Sequence, residues 1–354
     1  MDTDRPRIAV TLGDLAGIGP EILATAWSRP ELHAQARPCV IGPPSVIARA
    51  LEQAGSTARM VLESTPGTVE PSSMVMPVVA VGDDPGLLSV APGTVDPRSG
   101  ESAYRSLLRA TEAALARQVD GISTLPLNKE ALRAAGIEEP GHTEILARLC
   151  GVERFAMMLY LGPPTGSEAG LGVIHVTLHV PLRRVFELIT PEAVAEAIGL
   201  ADQGMRPFTA DRAPRIGVAA LNPHAGEHGL FGDEEARWIA PGVELASRSG
   251  IDVTGPIAAD TLFRQGVEGR FDAIVAMFHD QGHIALKTLD FDRAVNITLG
   301  LPIIRTSVAH GTAYDIVGTG SARPDSLFEA VRVAALMVRY RRRHSALFGA
   351  QAHS

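Results

Sequence analysis

Short, nearly continuous apolar runs recur along the chain, each broken by glycine or polar residues before a helical pattern begins. Strands buried on both faces of an α/β fold leave that pattern. It predicts strands over residues 7–12, 38–42, 75–81, 120–125, 155–161, 171–179, 215–221, 252–259, 272–278 and 294–299. Helices are predicted over 22–27, 45–54, 102–117, 145–149, 191–202, 234–247 and 327–340. Residues 64–99, rich in Pro, Gly, Ser and Asp, read as an irregular excursion around the strand at 75–81. The runs 155–161 and 171–179, joined by a Gly/Pro-rich tip at 162–170, read as an antiparallel hairpin.

The run at 272–278 breaks abruptly into His279, Asp280, Gln281, Gly282, His283 and then Lys287. A buried strand that delivers imidazole, carboxylate, amide and ammonium groups at its carboxyl end has the layout of an α/β ligand site, with an incidental polar loop after a core strand as the alternative. Two other predicted strands end on or near His179 and His224. Neutral imidazoles suit zinc, cobalt, nickel or iron, and three protein ligands leave a coordination position open for substrate. Such a cation acts as a Lewis acid on an alcohol oxygen. Spacing does not establish convergence, and three separate structural histidines remain the alternative. Lys287, Asn296, Arg305 and the Gly141-His142-Thr143 turn offer donors suited to a phosphate or carboxylate, with ordinary N-capping by Thr143 as the competing reading. Asp260 and Asp280 could steady a ligand histidine or lysine, or cap a helix. Gly13, Gly17 and Gly19 precede a helix but lack the dinucleotide-binding spacing.

Composition narrows the classes. A chain of 354 residues is long for one core, so two lobes are expected. A net charge of -8 provides no basic field for nucleic acid, and Arg341-Arg-Arg-His344 reads as a cation-rich helix end. Two cysteines, Cys39 and Cys150, make neither a disulfide framework nor a thiolate zinc site. With no basic, apolar leader and no membrane-length apolar run, a cytoplasmic protein with a small-molecule substrate is expected.

Seven segments taken in order carry a resemblance. They are Gly13-Asp14 with Ala16-Gly-Ile-Gly-Pro-Glu21, Pro140-Gly-His-Thr-Glu144, Leu221-Asn-Pro-His-Ala-Gly-Glu227, Asp260-Thr-Leu-Phe263, His279-Asp-Gln-Gly282, Val295-Asn-Ile-Thr298 and Gly300-Leu-Pro-Ile-Ile-Arg-Thr-Ser307. Together they resemble the 4-hydroxythreonine-4-phosphate dehydrogenase family. The resemblance implies NAD-dependent oxidation of a secondary alcohol, then decarboxylation of the β-keto acid. It implies a two-lobed α/β/α fold akin to isocitrate and isopropylmalate dehydrogenases, with the active site in the interdomain cleft and no Rossmann cofactor site. Residues 1–128 with 297–354 would form the cofactor lobe, and 129–296 the metal and dimer lobe.

By motif, the implied ligands of a zinc, magnesium, manganese or cobalt ion are His179, His224 and His279. The implied substrate contacts are His142, Thr143, Lys287, Asn296 and Arg305. Asp260 and Lys287 are implied as catalytic groups, and Gly300, Thr306 and Ser307 as cofactor contacts. A homodimer is implied, with a shared active site to which the partner chain brings His279.

His279-Asp-Gln-Gly-His283, with Leu125-Pro-Leu-Asn-Lys129 and Gly229-Leu-Phe-Gly-Asp-Glu-Glu235, looks more like the branch that oxidises 4-phospho-D-threonate or 4-phospho-D-erythronate than the vitamin B6 branch. Terephthalate cis-dihydrodiol dehydrogenases share the first of these motifs, but the phosphate-type donors argue against that branch. Leu15 stands where the family usually has Pro, and Ala309 where it usually has Asp. A metal hydrolase and a non-catalytic phosphometabolite-binding protein are the other classes the histidines allow.

Overall fold

A computed structural model describes residues 5–163, 167–290 and 292–344. Its strands are β1 (Arg7–Thr11), β2 (Arg37–Gly42), β3 (Arg59–Leu62), β4 (Val75–Ala80), β5 (Gly121–Thr124), β6 (Ala156–Leu161), β7 (Leu171–His175), β8 (Ile216–Ala219), β9 (Val253–Ile257), β10 (Ala273–Ala276), β11 (Val295–Leu299) and β12 (Arg305–Val308). The fold is mixed α/β, as the apolar pattern predicts, and the chain forms two compact units. One comprises Met1–Phe155 with Leu301–Ser354, the other Ala156–Gly300.

In the first unit the strand order is β3-β4-β2-β1-β5-β12, and its paired strands run parallel. Alternation along β1 sorts the core. Ile8 and Val10 join Trp27, Val46, Val331 and Ala334, from the helices Gly19–Trp27, Pro44–Gln53 and Asp325–Arg343. Ala9 instead joins Leu107, Ile122, Leu132, Ile145 and Leu146, facing the helices Pro97–Leu115, Lys129–Ala134 and His142–Cys150. Those last two helices keep residues 129–155 with this unit. The division therefore falls at Phe155/Ala156 and Gly300/Leu301, whereas the expected lobes divide at 128/129 and 296/297. The C-terminal arginines serve this unit's structure: Arg342 lies 2.9 Å from Asp120, and Arg341 donates to the Pro302 carbonyl.

In the second unit the order is β11-β6-β7-β10-β8-β9. β6 runs antiparallel to both β7 and β11, giving the predicted hairpin, whose tip residues 164–166 lie outside the described residues. β7, β10, β8 and β9 pair in parallel. The helix Pro191–Met205 covers the face to which Gly172 points, while the helices Ala259–Val267 and His279–Leu289 cover the other.

Asp272, just ahead of β10, is fully buried and ties this unit together. Its carboxylate accepts from Arg212 (2.6 and 2.7 Å), Arg215 Nη2 (3.1 Å) and the Ser167 hydroxyl (2.6 Å).

The structure also revises the sequence reading at individual elements. Residues 279–289 form a helix, not a polar loop. β7 stops at His175, so His179 lies beyond the strand. β3 sits ahead of the irregular region, at an edge where Arg59 to Leu62 are half-exposed and carry no buried-strand signature. Among the described residues, no helix is long and apolar enough to cross a membrane.

Gly282 lets the helix His279–Leu289 approach β7. A Cβ there would stand 2.4 Å from His175 Nε2 and 2.6 Å from Val173 Cγ1. Gly282→Ala is expected to lower stability by about 1–3 kcal/mol through overpacking, read as a fall in the urea midpoint at unchanged m-value.

Candidate active site

β7 and β10 are parallel neighbours, with His175 opposite Ala276. Both chains leave the sheet at the same end, so the residues that follow them meet. His279 opens its helix, and His283 lies one turn further on the same face. The rings of His279 and His283 stack at 3.9 Å and 7°. The His179 ring is 5.5 Å from that of His279, and the His175 ring 4.8 Å from that of His283. His283 Nδ1 and His175 Nε2 are 3.2 Å apart. Asp280 holds His279 Nδ1 at 2.7 Å, which leaves Nε2 as the presented nitrogen. Burial first, then neighbouring imidazoles, holds His175 at about 3 and His283 at about 4, so both are neutral near pH 7. A surface depression is lined by Leu178, His179, Leu182, Val185, His279 and Asp280.

His224 is presented differently. Residues 224–228 all carry positive φ, from 42° at Glu227 to 79° at Gly226, forming a left-handed turn that costs L-residues free energy. The largely buried Glu235 clamps its base by accepting from the Leu221 and Asn222 backbone N–H groups at 2.9 and 2.7 Å. The His224 side chain is 69% exposed, 3.2 Å from Glu227, with Phe231 edge-on to its ring at 6.1 Å. The structure thus brings His179 and His279 together and does not bring His224 to them. Among the described residues, no group of three or more His, Cys, Asp or Glu side chains is placed to hold a metal ion, so one chain alone does not fit the implied cation.

Lys287 continues the His279, His283 stripe of the same helix, and burial lowers its pKa. Asn296 lies in β11 opposite Leu159 of β6. Asp260 is exposed in the first turn of its helix, where a carboxylate suits the dipole.

The first unit holds the anion-type donors. Arg305 starts β12, is only 3% exposed, and donates to the Thr124 hydroxyl at 2.7 Å. Burial draws its pKa down to about 10, with Glu144 opposing the shift. Half-buried His142 has its pKa pushed well below the usual range by burial and by Arg305. It opens the helix His142–Cys150, whose N-cap is Gly141, and no side chain bonds the cap. Thr143 lies inside the first turn, so it is not the N-cap.

Of the expected cofactor contacts, Gly300 is exposed with φ 85°. Ser307 is buried, and the Thr306 hydroxyl donates to the Ala330 carbonyl at 2.8 Å, fastening β12 to the C-terminal helix.

Sequence reasoning missed Asp14 as an anchor. It is buried, and it accepts from Tyr314 Oη (2.7 Å), Ser99 Oγ (2.6 Å) and the Ala16 N–H (2.8 Å). With the Ile18 N–H donating to the Thr312 carbonyl, the first glycine-rich loop is fastened to residues 312–314. Leu15 is buried and its N–H is bonded by Ser99, so the loop is held without proline at that position. His175 was missed because it reads as a mid-strand residue.

Comparison with known proteins converges on one family. The model described as "Pyridoxal phosphate biosynthetic protein PdxA" matches residues 34–334. A 4-hydroxythreonine-4-phosphate dehydrogenase of Geobacter metallireducens is 44% identical over 342 residues, spanning 96% of this chain and 97% of the relative. A D-threonate 4-phosphate dehydrogenase of Salmonella typhimurium is 44% identical over 329 residues, spanning 92% and 97%. The crystal structure of a 4-hydroxythreonine-4-phosphate dehydrogenase from Klebsiella pneumoniae superposes with a TM-score of 0.84 at 42% identity, covering 96% of this chain and 100% of that one. Matches of this extent run through both units, and the chain therefore belongs to the pyridoxal phosphate biosynthetic protein PdxA family and is a dehydrogenase of that family.

Proposed function

We propose that the chain uses NAD to oxidise the secondary alcohol of a four-carbon, 4-phosphorylated 3-hydroxy acid, and that the 3-keto acid formed loses carbon dioxide. The alcohol carbon gives up its hydrogen as hydride to the nicotinamide, and the hydroxyl gives its proton to a base. The carboxylate carbon then leaves as carbon dioxide, and the resulting enolate takes up a proton.

The observation that carries this reading is Arg305, a guanidinium buried to 3% exposure beside His142 and an uncapped helix start. A buried cation is expensive unless an anion answers it, and guanidinium matches phosphate or carboxylate geometry. Glu144 answers it in part; the proposed substrate brings further negative charge. Lys287, its pKa lowered by burial, is the proposed proton carrier, in preference to the exposed Asp260.

The His179, His224 and His279 set, with its divalent cation, belongs to the proposal as an assembly of two copies, since one chain does not gather it. Leu182 and Phe186 are exposed on the helix Leu182–Leu188 that follows His179, Ile284 on the helix that carries His279, and Leu230 and Phe231 beside His224. Such apolar surface suits burial by a second chain.

4-Phospho-D-threonate or 4-phospho-D-erythronate is the proposed substrate, on the His279 to His283 motif. 4-Phosphohydroxy-L-threonine is the second reading, because the relatives named for the two activities stand at the same 44% identity. Parallel assays of NADH formation on the three compounds, with controls lacking NAD, test the proposal. NADH from at least one supports it. Product without NAD indicates a hydrolase, and ligand binding without turnover of any of the three indicates a binding protein; either result removes the proposal.

A further inference from the structure

The proposed reaction uses His279 and leaves His175 and His283 without a task. Both are at most 7% exposed, although a stripe of this kind could have been filled by aliphatic residues. His175 Nδ1 is buried without a partner, while its Nε2 faces His283 Nδ1 at 3.2 Å. An orphaned acceptor is tolerated better than an orphaned N–H. The arrangement with the lower cost places the proton of His175 on Nε2, donating to His283 Nδ1. That bond, together with the hydrogen bonding of both rings to the His279 backbone, sets the plane of the His283 ring, and His279 stacks on this ring at 3.9 Å and 7°. On its other side His279 donates from Nδ1 to Asp280 at 2.7 Å. The stack holds the plane of the His279 ring and the Asp280 bond selects its tautomer, and that bond keeps its geometry only while the plane is kept. Gly282 makes this possible, since any Cβ there would collide with His175.

We infer that His283, backed by His175, is a positioning residue that fixes the ring plane and tautomer of His279. This rests on the proposed function only in giving His279 a part in the reaction; the ring geometry stands on its own. The test uses the full chain, with wild type compared with His283→Phe, which keeps a π-face, and with His283→Leu and His283→Ala, which do not. Long-range spectra of ¹⁵N-histidine-labelled protein report the His279 tautomer, assigned by the signal lost in His279→Gln. Melting temperatures identify any variant that fails to fold, and Leu stands in for Ala if Ala does.

The expected result is a single Nδ1–H tautomer in wild type and His283→Phe, and a mixed population in His283→Leu or Ala. Turnover should follow: kcat falls by about 10-fold to 100-fold in the Leu or Ala variant, as when other groups that orient an active imidazole are removed. KM for the phosphorylated substrate should be unchanged, and Phe should restore kcat. A single tautomer in the Leu variant, or Phe as impaired as Leu, overturns the inference. If wild type forms no NADH on any of the three compounds, the proposed function fails while the spectra still decide the positioning role.

Discussion

Arg305→Met is expected to lower kcat/KM for the phosphorylated substrate by about two to three orders of magnitude while leaving the melting temperature little changed. The two effects follow from one cause. Arg305 is a guanidinium at 3% exposure whose pKa burial has drawn down to about 10. Removing a buried, hydrogen-bonded charge from a binding site costs about 2–5 kcal/mol of binding. In the free protein the loss relieves the desolvation cost of the charge and forfeits the Thr124 hydrogen bond and the Glu144 attraction, and these terms oppose one another. Steady-state kinetics with the preferred substrate and a melting curve of the same sample check both. A loss of stability with kinetics intact would make Arg305 a structural cation serving Thr124 and Glu144.

The second large effect concerns stability. Asp272→Ala is expected to cost about 2–4 kcal/mol, because it empties a fully buried position and takes the charged acceptor from Arg212, Arg215 and Ser167, while the half-exposed arginines recover some hydration. Burial alone would raise the pKa of this carboxyl; the two guanidinium groups, the Ser167 hydroxyl and the Arg215 N–H outweigh it and hold it well below the usual carboxylate range. A carboxyl depressed on folding contributes stability that is fully present above its unfolded value, about 3.9. That contribution is lost as pH falls through the folded value, at up to about 1.4 kcal/mol per pH unit. Urea unfolding between pH 7 and pH 2 should therefore show an acid-side decline, shallower in Asp272→Asn, and no slope from this group above about pH 5.

Much of the fold was legible where burial is two-sided, although the fully buried β12 was not read as a strand and β7 was read four residues too long. β1, β2, β5, β10 and β11 are apolar runs bounded by turn residues, and the sequence reading places each within a residue or two. The helix His279–Leu289 was not legible, because Gly282 and the polar residues around it carry loop propensity. Its helicity comes from packing against β7, with His283 and Leu286 buried. β3 was missed for the opposite reason, as an edge strand with little buried surface.

At the candidate site, single residues were readable and their relations were not. His179, His279, Lys287 and Arg305 stood out as polar groups after strands or near their ends. That Tyr314 answers Asp14, or that His175 backs His283, depends on pairs far apart in sequence. The left-handed turn at 224–228 leaves no trace in residue type beyond Gly226, because the clamp is Glu235. Sequence also placed Thr143 as a cap candidate, whereas Gly141 takes that position.

The most direct test of the proposed chemistry is a stoichiometry measured on one sample. Purified full-length protein is supplied with NAD, divalent cation and carboxyl-labelled 4-phospho-D-threonate, 4-phospho-D-erythronate or 4-phosphohydroxy-L-threonine, and NADH and labelled carbon dioxide are followed together. Oxidation followed by decarboxylation predicts one carbon dioxide per NADH, on the phosphorylated compound and far more slowly on its unphosphorylated counterpart. Labelled carbon dioxide without NADH, NADH without carbon dioxide, or equal rates with and without the phosphate would contradict it.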